Sequence, residues 1–435
     1  MPRLITVLIM CVCVLSGGNA ATLINDTETE CVLMELVTPL TQAANVPQGR
    51  AKIHIVRDDN FNAFVRGGDD IYIYTGLLKQ IKTPDALQAV VAHEMGHTIG
   101  GHVSQLSARM DAEFKRTMLI QALGVGLMVA GGNPSLGAGV LAGAGGVATQ
   151  SVLAFSRDEE RVADNLGIDL MIKAGQNPKG FVDVLEQMRE ITGPIESRVN
   201  PNAINHPLTA ERVKNAREYI KQTGVEYKVD IKKATKREKD FNMVRAKLIG
   251  YLDPFDRVKT IYPNTDTSDA ALYARAIANM RAGNLDVATR GVRTLVARDS
   301  KNPYFYELLG DIEYQFGHYD DSVDAYEKSL DLLNGDAAQI QSALALVLTE
   351  RRKDGDNERA IELCKRSILT EASPLAYWVL ARAYGEKDPG RSAWAMAEFY
   401  NMQDDKKSVK KYAKIARKKL KKSDSEYIKA GDLLD

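Results

Sequence analysis

This 435-residue chain has little cysteine, little histidine and no excess of either charge. Four cysteines exclude a disulfide-dense scaffold. Cys11 and Cys13 lie inside an apolar leader, and the remaining Cys31 and Cys364 lack metal-ligand spacing. Whether those two pair or stay apart is left open by sequence. Lys plus Arg and Asp plus Glu each number 57, which excludes an overall attraction to nucleic acid and leaves only local patches. Long apolar runs are also missing. Leu4 to Leu15 falls short of the about 20 residues that span a bilayer.

Of only six histidines, two stand in His93-Glu94-Met95-Gly96-His97. Residues four apart share one face of a helix, so both imidazoles can address one metal ion. Glu94 points beside that face, where it can take a proton from metal-bound water. Thr83 before Pro84 reads as a cap and an N1 proline, and the apolar spacing from Ala86 to Ala92 carries the motif on a buried helix.

The length favours two domains. Residues 1–20 read as a secretory signal: Arg3, the apolar Leu4 to Leu15 stretch, and a Gly18-Asn19-Ala20 cleavage site. A metallopeptidase-like domain is expected over 21–222. It includes a small β-layer in which Lys52 to Val56, Asn62 to Val65 and Asp70 to Tyr74 are strands and Gly67-Gly68-Asp69 is a turn. A sheet beside the motif helix offers an edge to an extended peptide, at Asn62, Ala63 and Phe64. Within this domain residues 117–156 carry no charge and read as a helical hairpin, packed on the protein or lying on a membrane. Residues 223–268 turn polar and read as a linker region with one helix, Phe241 through Leu252.

Over 269–435 an internal repeat emerges. Gly283, Leu285, Ala288 and Val292 recur 34 residues later as Gly317, Tyr319, Ser322 and Tyr326, the period of a tetratricopeptide repeat, and about four units are expected. Lys406 to Lys422 is densely basic and reads as a capping helix that is either solvated or set against acidic partners or anionic lipid, a peripheral membrane contact. The fold class is mainly α with a small β-sheet: a zincin-type metallopeptidase domain followed by an α-solenoid.

Two histidines do not close a zinc site. A third histidine in the extended motif would stand at 103, where Val103 is found, and His102 comes one residue early. His102 therefore reads as a local or supporting residue. Glu160 is the better third ligand, because Asp164 one turn on can orient a ligating histidine through its far ring nitrogen. Glu159 points about 100° away on the helix and lacks such a partner. His206 precedes Pro207, which restrains the loop and suits a positioned ligand.

Together the 93–97 motif, the Ser156-Arg157 to Ala163-Asp164 segment, Asn62-Ala63-Phe64 with Gly76-Leu77-Leu78, and His206-Pro207 followed by Arg212 resemble the gluzincin peptidases of the HtpX and CAAX-protease type. The resemblance runs from about 35 to 250, and a secreted member with tetratricopeptide repeats is similar to that family's periplasmic branch. It implies that one zinc ion is held by His93, His97 and Glu160, that Glu94 activates water, and that His206 is a reversible fourth ligand keeping the peptidase latent. It gives Arg212 two alternative roles, anchoring the His206 loop or stabilising an oxyanion. It also implies unfolded or stalled outer-membrane proteins as substrates and the β-barrel assembly machinery as a partner of the repeats. Val65-Arg66-Gly67-Gly68 departs from the family in being more polar, and no pair of long membrane spans is present. Two rival readings use the same residues. One is a chaperone or assembly scaffold with a mostly latent zinc site, against which Glu94 stands, since a structural site needs no base. The other is a quality-control protease anchored in a membrane by the uncharged hairpin.

Overall fold

A computed structural model describes residues 11–13, 22–102, 157–196 and 210–434. The uncharged 117–156 segment and the His206-Pro207 loop lie outside the described residues. The sheet is built from alternation. Strands β1 (Cys11–Cys13), β2 (Thr22–Asn25), β3 (Lys52–Arg57), β4 (Ala63–Arg66) and β5 (Asp70–Tyr74) lie in the order β1-β2-β3-β5-β4. Only β3 and β5 run parallel. Ile71 and Ile73 point inward from β5, and Ala63 and Val65 from β4, as the period of two requires. The turn between them uses Gly67 and Gly68 at φ 65 and 90, a region open to glycine. The β2 strand was not foreseen, and β1 falls within the expected signal.

The inner face of the sheet packs on helices α1 (Thr27–Ala43) and α3 (Pro84–Ile99), with the short α2 (Thr75–Gln80) between sheet and α3. Leu36, Val37 and Leu40 meet Ile55, Ile73, Leu87 and Val91 in one core. Thr83 caps α3, its hydroxyl accepting from the Ala86 N–H at 3.2 Å, and Pro84 opens it. Helices α4 (Arg157–Lys173) and α5 (Lys179–Glu196) pack on α3, and α6 (Ala210–Thr223) packs on α4 and α5. The α3–α4 crossing is unusually close. A Cβ on Gly96 would sit 2.5 Å from the Ala163 carbonyl oxygen, and one on Gly167 would sit 3.0 Å from that of Ala92. Small residues on both helices let the backbones meet, which sets the distance between the histidines of one helix and the carboxylates of the other.

The region expected to be a linker is not one. Helix α7 (Ile231–Leu252) starts ten residues before the expected helix, and α8 (Phe255–Ile261) follows it. Phe241, Val244 and Leu248 on α7 belong to the core under the sheet, whereas Met243, Ala246 and Ile249 belong to the next core. Lys247, fully enclosed at that junction, lies 2.6 Å from Asp26, 3.1 Å from Glu307 and 3.3 Å from Glu28. Beyond it the pairs α9 (Asp269–Arg281) with α10 (Leu285–Arg298), α11 (Pro303–Phe316) with α12 (Tyr319–Leu332), α13 (Ala338–Arg351) with α14 (Asp356–Thr370), and α15 (Pro374–Tyr384) with α16 (Pro389–Asn401) form an α-solenoid of tetratricopeptide type. Helices α17 (Lys406–Lys419) and α18 (Ser425–Asp432) end it. The N-terminal segment reaches across to the solenoid, where Asn25 donates to Glu371 and Thr27 to Gln339. Cys31 is exposed and Cys364 buried, and both are free thiols. Among the described residues no helix is long and apolar enough to cross a membrane.

Candidate metal centre

His93 and His97 occupy successive turns of α3, and Glu160 faces them from the first turn of α4. Their inner atoms cluster, the two histidines facing different oxygens of Glu160. His93 Nε2 is 3.1 Å from His97 Nε2 and 3.5 Å from Glu160 Oε2, and His97 Nε2 is 3.4 Å from Glu160 Oε1. A tetrahedral ion holding N and O ligands at about 2.0–2.1 Å sets them roughly 3.3–3.4 Å apart, so these three residues fit such an ion. All three are buried. Glu159 is only half-buried and lies outside the cluster.

The outer ring nitrogens are also held. His93 Nδ1 lies 2.9 Å from Asp164 Oδ1, and His97 Nδ1 lies 3.1 Å from His102 Nδ1. A Nδ1 proton donated outward leaves the Nε2 lone pair aimed at the centre of the cluster. Two lone pairs and a carboxylate converging in a buried space are mutually repulsive without a cation. Burial holds the His93 ring below its ordinary pKa against the pull of Asp164 and Glu160, which keeps it neutral as a metal ligand must be.

Arg212, in the first turn of α6, stands where a residue supporting the ligands is expected, behind the two carboxylates. Its guanidinium grips Asp164 through two bonds, Nε to Oδ2 at 2.9 Å and a terminal nitrogen to Oδ1 at 2.7 Å, and reaches Glu160 Oε2 at 2.6 Å. Burial would raise the Asp164 carboxyl, but the His93 hydrogen bond and the Arg212 charge hold it below the usual range. Arg212 thus fixes both carboxylates at once, a geometry only the planar fork provides. The sequence resemblance singles out Arg212 but not these bonds, since residues 48 positions apart meet through the packing of α4 and α6.

Glu94 opens on a small cavity, part of it open to solvent, shared with His93, Arg212, Asn62 and Ala63. Its remaining walls are apolar: Leu77, Val90, Phe181, Val184, Leu185 and Met188. Strand β4 ends the sheet beside this cavity, so its outer backbone edge has no strand neighbour among the described residues. Phe64, on the outer face, stacks on Tyr72 at 4.5 Å between ring centroids. Backbone edge, apolar cavity, base and ligand cluster are therefore contiguous. His206 lies outside the described residues.

Residues 26–220 match the model of Peptidase family M48. Over 373 residues the chain is 23% identical to the Beta-barrel assembly-enhancing protease of Escherichia coli (strain K12), covering 84% of this chain and 74% of that protein. It is 29% identical over 177 residues to the mitochondrial metalloendopeptidase OMA1 of Schizosaccharomyces pombe, covering 40% of this chain and 48% of that one. The metalloprotease LoiP of Escherichia coli (strain K12) is 28% identical over 174 residues, covering 40% of this chain and 64% of its own.

Proposed function

We propose that this chain, whose residues 26–220 match Peptidase family M48, is a zinc-dependent metalloendopeptidase of the periplasm that cleaves outer-membrane proteins whose assembly has stalled. The observation that carries the chemistry is the ligand cluster of His93, His97 and Glu160 with Glu94 one residue from a ligand and facing the cavity. The client class rests on the Escherichia coli relative aligned over 84% of this chain and 74% of its own, which is named Beta-barrel assembly-enhancing protease.

A zinc ion held by His93, His97 and Glu160 would act as a Lewis acid toward water and the scissile carbonyl. Glu94 accepts the proton of the attacking water and returns it to the departing amine nitrogen. Asp164 and His102 hold the two imidazoles in the tautomer that keeps Nε2 unprotonated. Strand β4 pairs with the extended substrate backbone, and the apolar cavity receives a side chain next to the scissile bond. The solenoid binds the client or the assembly machinery. His206 serves as the reversible fourth ligand that keeps the enzyme latent, a role the restrained His-Pro loop supports.

The test measures metal content and cleavage of an unfolded outer-membrane protein in the parent, Glu94→Gln, Glu160→Ala and His206→Ala. Glu94→Gln keeps its metal and loses cleavage, and Glu160→Ala loses metal with the fold retained. His206→Ala gains activity. Parent-level cleavage by Glu94→Gln removes the mechanism, whereas no gain in His206→Ala removes latency alone.

A further inference from the structure

The chain is electrically neutral as a whole but not in its parts. Residues 406–422 hold nine lysines, Arg417 and no acidic residue, so the rest of the chain carries an excess of ten negative charges against the 57-to-57 total. All ten cations are exposed along α17 and the turn after it, and none makes an ion pair among the described residues. Arg417 donates to the Tyr427 hydroxyl and Lys411 lies over the Tyr412 ring, contacts that leave their charge uncompensated. The apolar stripe of the same helix is already used. Val409, Ala413 and Ala416 are buried, and Tyr412 stacks on Tyr400 of α16 at 5.4 Å.

We propose that this face docks the chain on an anionic phospholipid surface, a contact that does not depend on the peptidase reading. Three features favour lipid over an acidic protein. The cations spread along about 21 Å of helix, a broad field rather than a pocket. Nine of the ten are lysines, compact flexible charges suited to a fluid array of head groups, whereas arginine forks suit fixed carboxylates. The opposite sign of the remaining chain orients the molecule, holding α17 toward an anionic plane and turning the rest away. Since the apolar stripe is occupied within the solenoid, the helix rests on head groups without inserting. Binding is accordingly reversed by salt.

Sedimentation of the full chain with phosphatidylcholine vesicles, with and without phosphatidylglycerol, tests this. Binding requires phosphatidylglycerol and disappears at high salt. Each lysine near such a surface contributes about fivefold in partition, so Lys410→Gln/Lys414→Gln/Lys418→Gln loses roughly a hundredfold. The matched triple Lys221→Gln/Lys228→Gln/Lys232→Gln, exposed elsewhere with the same charge change, binds like the parent. The proposal is overturned by absence of salt-sensitive binding to the anionic vesicles, or by equal losses in both triples.

Discussion

Gly96, the second of the two unspecified positions in the 93–97 motif, controls the metal centre without touching a metal. In Gly96→Ala the new Cβ would stand 2.5 Å from the Ala163 carbonyl oxygen and 3.2 Å from its carbonyl carbon. An ordinary carbon–oxygen contact is about 3.3 Å, so α3 and α4 must part by roughly 0.8 Å. No flexible side chain can absorb this, because both colliding groups are held by helix backbone. Glu160 rides on α4 one turn before Ala163, so its oxygens move from 3.4–3.5 Å of the two ring nitrogens to beyond 4 Å by about the same displacement. Ligand distances in metal sites tolerate about 0.2 Å, so the third ligand is effectively withdrawn. The cost to folding is about 1–3 kcal/mol, the range of a core overpacking. Metal affinity falls by at least ~100-fold, the upper range seen when a support to a ligand is lost. Competition titration against a chromogenic chelator measures the affinity, and melting in excess chelator measures the fold separately. A Gly96→Ala protein that binds metal as tightly as the parent would refute the argument that backbone contact sets the ligand cluster.

Asp164→Asn removes the anion that orients His93 and leaves Arg212 to pull on Glu160 alone. A loss of about 10–100-fold in metal affinity follows, and isothermal titration that shows none would count against the clamp. Val184→Phe fills the apolar cavity beside Glu94. Peptides with large apolar residues next to the cleaved bond then lose about 10–200-fold in kcat/KM relative to small ones, and an unchanged cleavage profile by mass spectrometry would show that the cavity does not select. Burial pushes Glu28 up to about 7 despite Lys247, with Asp26 and Glu307 adding to the rise and Tyr273 donating to it. The folded chain therefore keeps a proton that the unfolded chain gives up near the ordinary carboxyl value of 4.5. This contribution to stability is full below that value and is lost as pH rises toward about 7. Glu28→Gln should flatten that part of the melting-temperature profile, and an unaltered slope would place the titration elsewhere.

The motif helix was legible because its message is periodic: cap, proline, apolar spacing and two histidines one turn apart all agree. The same spacing rule found Glu160 with Asp164, and strand alternation found β3 to β5 within a residue or two. Contacts between distant segments were not legible. The grip of Arg212 on two carboxylates, the contact of Gly96 with Ala163 and the reach of Asn25 to Glu371 depend on how elements meet. Helix α7 was shortened in the sequence reading for a physical reason. Its first two turns are largely exposed and carry lysines, and an apolar pattern begins only where Phe241 enters the core. Composition there signals solvent exposure, which a polar linker and an exposed helix share.

Helix α7 has a consequence for how the molecule bears load. One side of it is a wall of the metal domain and the other is the first wall of the solenoid, and its Arg237 reaches Asp85 at the base of the motif helix at 3.0 Å. A tug on the solenoid is thus delivered to the foundation of α3 through a single stiff strut instead of being dissipated in a slack tether. The two halves should melt together in one calorimetric transition. A fragment cut before α7 would expose the core under the sheet where Phe241, Val244 and Leu248 had sealed it. The enzyme is better regarded as one machine with a handle than as a protease with an appendage.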